Sequence, residues 1–494
     1  MKDYIMAVDQ GTTGTRAMIV NKGGEIVEKA YLEFPQIYPR PGWVEHDPAS
    51  IWATTEQVMK KVIKTSGISP ISIRGIGITN QRETTLLWDK KTLEPVHNAI
   101  VWQCRRSTQI CDQLKKQGYL SFFQERTGLV LDAYFSGTKL KWLFDEYPDL
   151  WKRAKSGEIA FGTVDSWLIA KLTHGKVHIT DYTNASRTLL FNIHKKNWDT
   201  EILKILDIPY EILPQITSSA CVIGQTDQKI FESAIPIAGI AGDQQAALFG
   251  QGCFYKGQAK NTYGTGCFLL MNIADTELEP QEGLLLTIAC DEKGNPCYCL
   301  EGSIFTAGAV IQWLRDELKL IHDATESQRL AEAVEDTHGV YLVPAFSGLG
   351  APHWDMHARG AILGITRGAN RSHIVRAALE GIAYQVKDMI VSFENSTNLK
   401  FEKLRVDGGA SKNDFLMQFQ ADICDCIIDR SHYVESTGMG AAFLAGIATE
   451  FWSSGSEIAG LIKSEKVFKP GIDEAKRQAL YEGWLDAVER IKSS

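Results

Sequence analysis

With 44% hydrophobic and 23% charged side chains, the 494 residues have an ordinary globular composition, and they are too many for a single core, which stops growing at roughly 250–300 residues. A formal net charge of -8 and a pI near 5.8 leave no basic stripe to release counterions from a phosphate backbone, so nucleic acid is not an expected partner. No apolar run approaches the roughly 18–20 residues of a membrane span. Lys2, Asp3 and Asp9 crowd the apolar N-terminus too closely for a secretory leader, so a soluble, cytoplasmic protein is expected.

The chain opens with an apolar strand, YIMAVD, a small-residue loop, QGTTGT, and a second strand, RAMIV. The turn Asn21-Lys22-Gly23-Gly24 feeds a third strand, EIVEKAYLEF, giving an antiparallel meander. Asp47-Pro48, a capping carboxylate with proline at the first helical position, opens a helix over ASIWATTEQVMKKVIK. A buried strand, IRGIGIT, a polar corner, NQRE, and a strand pair, TTLLWD and PVHNAIVW, follow. Strands mixed with helices imply a layered α/β architecture.

Near residue 240 the pattern restarts. The apolar IPIAGIAG leads to Asp243-Gln244-Gln245 and a helix, AALFGQGC, and the strand region AKNTYGTGCFLLMNI carries a second Gly/Thr turn. Strand, Gly/Thr hairpin and strand thus occur in both halves. This reads as a weak internal duplication, two lobes facing each other across a cleft, dividing near residues 245–255 and sharing a hinge. The ten cysteines include two close pairs, Cys297/Cys299 and Cys424/Cys426, each without the second half of a zinc site, so neither disulfides nor a structural metal are expected.

Five motifs carry chemistry. In Asp9-Gln10-Gly11-Thr12-Thr13-Gly14-Thr15-Arg16, the glycines let a ligand approach the main chain, while threonine hydroxyls and successive N–H groups can cradle phosphate oxygens. Asp9 suits Mg²⁺, a hard cation served by oxygen, and Arg16 suits a transferring phosphoryl group. An ordinary hairpin turn would read the same way. Gly264-Thr265-Gly266 repeats that composition in the second half. Arg82-Glu83 can donate to and accept from vicinal hydroxyls, with Trp102 and Phe268 as an apolar wall; a surface ion pair beside two core aromatics is the plainer alternative. Asp243-Gln244 places a carboxylate at a strand end, suited either to accepting a hydroxyl proton or to capping a helix. In Asp407-Gly408-Gly409, followed by Asn413, a diglycine turn can admit a base or ribose, or can serve only as a connection. Gly308 and Gln312 share one helix face.

Together these segments resemble the FGGY carbohydrate kinases, most closely those acting on glycerol. The resemblance extends over GWVEHDP at 42–48, GITNQRETT at 77–85, NAIVWQCRR at 98–106, TDYTNASRTLLFNI at 180–193, AGDQQAALFGQ at 241–251, NTYGTG at 261–266, LEGSIF at 300–305 and RVDGGASKNDFLMQFQADI at 405–423. It implies an α/β fold of two ribonuclease-H-like domains of the actin and hexokinase type. Residues 1–250 would bind polyol and phosphates, and 251–494 adenine nucleotide. The reaction it implies is transfer of the γ-phosphate of ATP to glycerol, with Mg²⁺ at Asp9, in a homodimer or homotetramer. By the same resemblance, Thr12, Thr13, Gly14 and Arg16 contact the nucleotide phosphates; Arg82, Glu83, Tyr134 and Asp243 hold glycerol, with Gln244 beside them and Trp102 and Phe268 on its carbon edge. Thr265, Gly308, Gln312, Gly409 and Asn413 complete the ATP site, and Asp243 is the general base.

The sequence departs from the family at two places. The first loop has Gly14 where a serine is more usual, and Ser436-Thr437-Gly438-Met439-Gly440 replaces Thr-Ala-Leu-Gly in a stretch expected near the adenine. A kinase for another small polyol or sugar shares this fold, as does a non-catalytic nucleotide-gated scaffold. The Arg82, Glu83, Trp102, Tyr134 and Phe268 set disfavours the first, and Asp243 the second.

Overall fold

The computed structural model describes residues 3–493 apart from 277, 279–282, 347, 354, 356 and 434. Two mixed sheets organise the chain, one in each half. In the first, Tyr4–Gln10, Gly14–Asn21 and Ile26–Glu33 form the expected antiparallel meander. Ile73–Asn80 then pairs in parallel with Tyr4–Gln10, and Pro236–Gly242 in parallel with Ile73–Asn80. In the second, Ala259–Tyr263, Cys267–Ala274 and Pro296–Ile304 make the meander, while Lys403–Asp407 and Ile427–Ser431 add the parallel pair.

Both sheets therefore share one spatial order, three antiparallel strands followed by two parallel ones. This is the ribonuclease-H-like arrangement that the resemblance implies, and it gives the internal duplication a structural form. The first sheet's parallel strands, Ile73–Asn80 and Pro236–Gly242, are buried on both faces, so they read as unbroken apolar runs without alternation.

The helix Pro48–Ser66 is capped by Asp47, whose carboxylate accepts the Ala49 and Ser50 N–H groups. It lays Ile51, Val58, Met59 and Val62 on one face of the first sheet. The other face is covered from far along the chain, by the helix Ser436–Ala448. The backbones there meet closely: a Cβ on Gly77 would lie 1.9 Å from Ala441 O, and one on Gly440 would lie 1.8 Å from Ala246 O. A late helix thus helps to close the core of the first sheet.

Two expectations need correction. The segments TTLLWD and PVHNAIVW touch only at isolated bridges, Thr85 with Ile100 and Trp88 with Pro95. Leu86–Asp89 instead pairs with Ile159–Gly162, and Ala99–Ile100 with Glu45–His46. The helix expected over AALFGQGC runs from Asp243 to Gly250, because Gly252, at φ 69°, turns the chain out of it. The stretch Ser436–Gly440, where the sequence departs from the family, is buried against the first half. Gly438 there faces Met18, whose Cε would lie 2.4 Å from an added Cβ.

Candidate active site

Parallel pairing decides where the chemistry gathers. Asp9 is in register with Thr79, and Asn80 with Gly242, so Asp9, the Arg82-Glu83 corner and Asp243 all emerge from the carboxyl ends of three adjacent strands. Ligands bind beyond the carboxyl ends of strands in open α/β sheets. The second sheet repeats the device. Thr262 is in register with Asp407, which brings the Gly264-Thr265-Gly266 turn and the Gly408-Gly409 turn to one edge. Gly408 sits at φ 90°, where an added Cβ would meet Tyr263 O at 2.4 Å; only glycine fits there.

Asp243 is the first residue of its helix, after Gly242, and its carboxylate also accepts the Gln244 N–H at 2.7 Å. Its side chain is 30% exposed, with Oδ1 3.2 Å from Arg82 Nε. Burial raises its pKa, against Arg82, the Gln244 N–H and Lys260. Arg82 lies close under this turn, since a Cβ on Gly242 would come 2.7 Å from Arg82 Cδ.

Arg82 and Glu83 are buried, which removes the surface-pair alternative. They are 3.8 Å apart, and each has a nearer partner. Arg82 donates to both carboxylate oxygens of Glu301, at 2.6 and 2.9 Å, and to Gln245 Oε1 at 3.1 Å. Glu83 accepts from Arg187 Nε at 2.6 Å, and Arg187 Nη2 lies 3.3 Å from Glu301. The four form a ring of alternating charge in which Arg187 and Glu301 are fully buried and Arg82 and Glu83 keep about 2% of their side-chain surface exposed. Burial opposes charge on Glu301, but Arg187 and Arg82 more than offset it and hold its pKa at about 2. Glu83 has the left-handed φ of 60°, disfavoured outside glycine and held here by Ser136, whose hydroxyl donates to its carbonyl at 2.9 Å.

The aromatic wall is built beside this ring. Trp102 meets Tyr134 edge to face at 5.6 Å, and its indole N–H donates to Thr12 Oγ1 at 3.0 Å, tying this wall to the first loop. Phe268 is half-buried, opposite Thr262 in the second sheet. Lys260, also buried, donates to Gln244 Oε1 at 2.6 Å and Thr262 Oγ1 at 2.9 Å, joining the two halves a second time.

At the first loop, burial and the nearby Asp243 and Glu435 carboxylates raise the Asp9 pKa to about 7, against the pull of Arg16. Arg16 Nη1 stands 3.9 Å from Asp9 Oδ2 but is ion-paired to Glu435, so its guanidinium already has an anionic partner. Thr13 is exposed at the loop tip. Gly14 is buried where a Cβ would meet Leu32 O at 2.6 Å and Tyr31 OH at 2.5 Å, so glycine suits this version of the loop.

In the second half, Gly308 N–H donates to Gly264 O at 3.0 Å and Ala309 N–H to Thr265 O at 3.2 Å, which seats the helix Gly308–Asp316 on the Gly/Thr turn. Gln312 on that helix and Gly409 are exposed. Asn413 is engaged within the protein: Oδ1 caps the helix Asp414–Cys424 at Leu416 N–H, and Nδ2 donates to Ser327.

Thr12, Trp102 and Tyr134 are thus linked by direct contacts, as are Arg82, Glu83, Asp243 and Gln244; Arg187, 5.5 Å over the Tyr134 ring, joins the two sets, and Thr265 with Gly308 forms a third. Arg187, Lys260 and Glu301 were not singled out from the sequence. A signal for them existed: each is a lone charge in an apolar or small-residue run, and such residues are rarely buried unless paired.

Residues 4–250 match the N-terminal domain of the FGGY family of carbohydrate kinases, and residues 259–449 its C-terminal domain. The chain belongs to the FGGY family of carbohydrate kinases. Within it, the chain is 56% identical to the glycerol kinase of Alkaliphilus oremlandii, over 99% of this chain and 97% of that protein. It is also 56% identical to glycerol kinase 2 of Thermotoga maritima, over 99% and 98%. The crystal structure of Plasmodium falciparum glycerol kinase with ADP superposes with a TM-score of 0.94 at 39% identity, covering 99% of this chain and 98% of that one. The actin- and hexokinase-like architecture of this FGGY kinase is therefore that of solved relatives along its whole length.

Proposed function

We propose that this chain transfers the γ-phosphoryl group of ATP to glycerol, giving sn-glycerol 3-phosphate and ADP. The observation that carries the reading is the meeting of Asp243 with the Arg82–Glu83 corner at adjacent strand ends, with Trp102, packed on Tyr134, donating its backbone N–H to Thr84 beside that corner, in a chain 56% identical to glycerol kinases over its length. Arg82 and Glu83 offer a donor and an acceptor to neighbouring hydroxyls, and the aromatic edges, with Phe268, cover the carbon side. Asp243 orients the terminal hydroxyl and takes its proton as the oxygen bonds to the γ-phosphorus and the bond to ADP breaks. Its raised pKa makes it a better proton acceptor than an exposed aspartate.

The first 250 residues hold the polyol and phosphates, through Thr12, Thr13, Gly14 and Arg16. Residues 251–494 hold the nucleotide, through Thr265, Gly308, Gln312, Gly409 and Asn413. Asp9 fits Mg²⁺: among the described residues its carboxylate has no donor nearer than Arg16, at 3.9 Å, and Mg²⁺ bound with a triphosphate needs only one or two protein carboxylates besides water. The ion would neutralise charge on the phosphates. No helix of the described residues is long and apolar enough to cross a membrane, and we place the reaction in the cytoplasm.

The test is ADP release from Mg–ATP, with glycerol or with five- and six-carbon polyols and sugars as acceptor. Release that depends on glycerol, at a higher kcat/KM than any larger acceptor gives, is expected. A larger acceptor turned over more efficiently would assign the chain to another substrate of the same fold.

A further inference from the structure

The segment TDYTNASR at 180–187 has no part in the reaction as described so far, yet its side chains reach two of the three strand ends that carry the site, those of Ile73–Asn80 and Pro236–Gly242. Asp181 caps the short helix Tyr182–Ala185, and its Oδ2 accepts the hydroxyls of Thr183 at 2.7 Å and Ser219 at 2.8 Å. The single proton of the Thr183 hydroxyl is thereby committed to Asp181. Its oxygen is left as an acceptor, and it takes the backbone N–H of Gly242, the residue before Asp243, at 2.8 Å. One position on, Asn184 exchanges side-chain hydrogen bonds of 3.0 and 3.2 Å with Asn80, the last residue of the strand that leads to Arg82 and Glu83. Arg187 then holds the Glu83 carboxylate at 2.6 Å. Asp181, Thr183, Asn184 and Arg187 are all fully buried, so they touch neither solvent nor an incoming ligand.

We propose that the turn Asp181–Arg187 is a positioning device: Thr183 fixes the backbone that aims Asp243, and Arg187 fixes the carboxylate with which Glu83 grips the polyol. The inference rests on the substrate reading given above. The two arms act on different steps. Thr183 sets the base against the hydroxyl that reacts, where a displacement of an ångström can cost about a hundredfold in rate. Arg187 sets a group that binds the substrate throughout, so its effect falls on affinity.

The experiment is steady-state kinetics of glycerol-dependent ADP release by the full chain and the variants T183V, T183S and R187K, with thermal melting of each. T183V keeps the shape but offers no oxygen to Gly242. It should lose about 10- to 100-fold in kcat, with the glycerol KM within about threefold of wild type. T183S restores the acceptor and should bring kcat back to within about threefold of wild type. R187K should raise the glycerol KM about tenfold and leave the ATP KM unchanged. Equal losses in T183V and T183S, or R187K moving both KM values together, would overturn the positioning roles while wild-type glycerol turnover still stands. If T183V does not fold, R187K alone decides, since a merely structural arginine would not single out glycerol. A wild-type chain without glycerol-dependent ADP release would overturn the substrate reading and the inference with it.

Discussion

Arg82 and Glu301, 219 positions apart, share two hydrogen bonds of 2.6 and 2.9 Å. The first stands on a loop at the end of the strand Ile73–Asn80, the second inside the strand Pro296–Ile304, so the bond joins the two halves directly beneath the site. Glu301 is fully buried and Arg82 only 2% exposed, and Arg187 and Glu83 complete the charge balance.

That relationship predicts the behaviour of E301Q. The substitution keeps the shape but leaves Arg82 and Arg187 with one buried negative charge between them. Breaking a buried pair from one side costs roughly 3–5 kcal/mol, so the urea midpoint should fall and the glycerol KM should rise. An unfolding midpoint equal to wild type would show that water reaches and solvates the ring.

For Asp243, the expected outcome is a separation of binding from chemistry. D243N retains the geometry without a proton acceptor. Turnover should fall by roughly 10²–10⁴, while calorimetry shows glycerol binding within a few-fold of wild type. Turnover within about threefold of wild type would assign the base elsewhere.

The pKa of Asp9 gives a pH dependence with a definite sign. Its ordinary value of 3.8 is raised to about 7 in the fold. Between those values the ligand-free folded protein keeps a proton that the unfolded chain has released. The stability linked to that proton is fully present below the lower value and is lost as pH rises through the upper one. D9N carries no such titration. The melting temperature of D9N minus that of wild type, measured without ligands, should therefore grow from pH 5 to pH 8. A constant difference would mean that Asp9 is ionised throughout.

Gly308 offers a test of the nucleotide side. A Cβ there would come 2.5 Å from Gly264 O, a backbone atom with no room to move. G308A should displace the Gly/Thr turn, raising the ATP KM about tenfold or more while the glycerol KM stays near wild type. A change in the glycerol KM alone would remove Gly308 from the ATP site.

Much of this was legible in the chain itself. Continuous apolar runs such as IRGIGIT and IPIAGIAG, each closed by polar residues, declare buried strands whose ends can carry chemistry. The Asp47-Pro48 cap and the repeated Gly/Thr turns are local signals, decided by backbone sterics within a few residues. The pairing of Leu86–Asp89 with Ile159–Gly162 and the cover supplied by Ser436–Ala448 are not local. Strand partners and helix docking are fixed by which apolar faces meet across hundreds of residues, and composition does not carry that. The same holds for the charges. Arg82 and Glu83 are neighbours in sequence and look like a pair, but folding gives each a nearer partner, Glu301 and Arg187, because a buried charge is tolerable only when countered in low dielectric. By itself, then, the sequence determined which residues have the chemistry to bind and react. Only the tertiary structure decided which buried groups hold them in place, since burial and charge pairing exist only once distant segments are packed together.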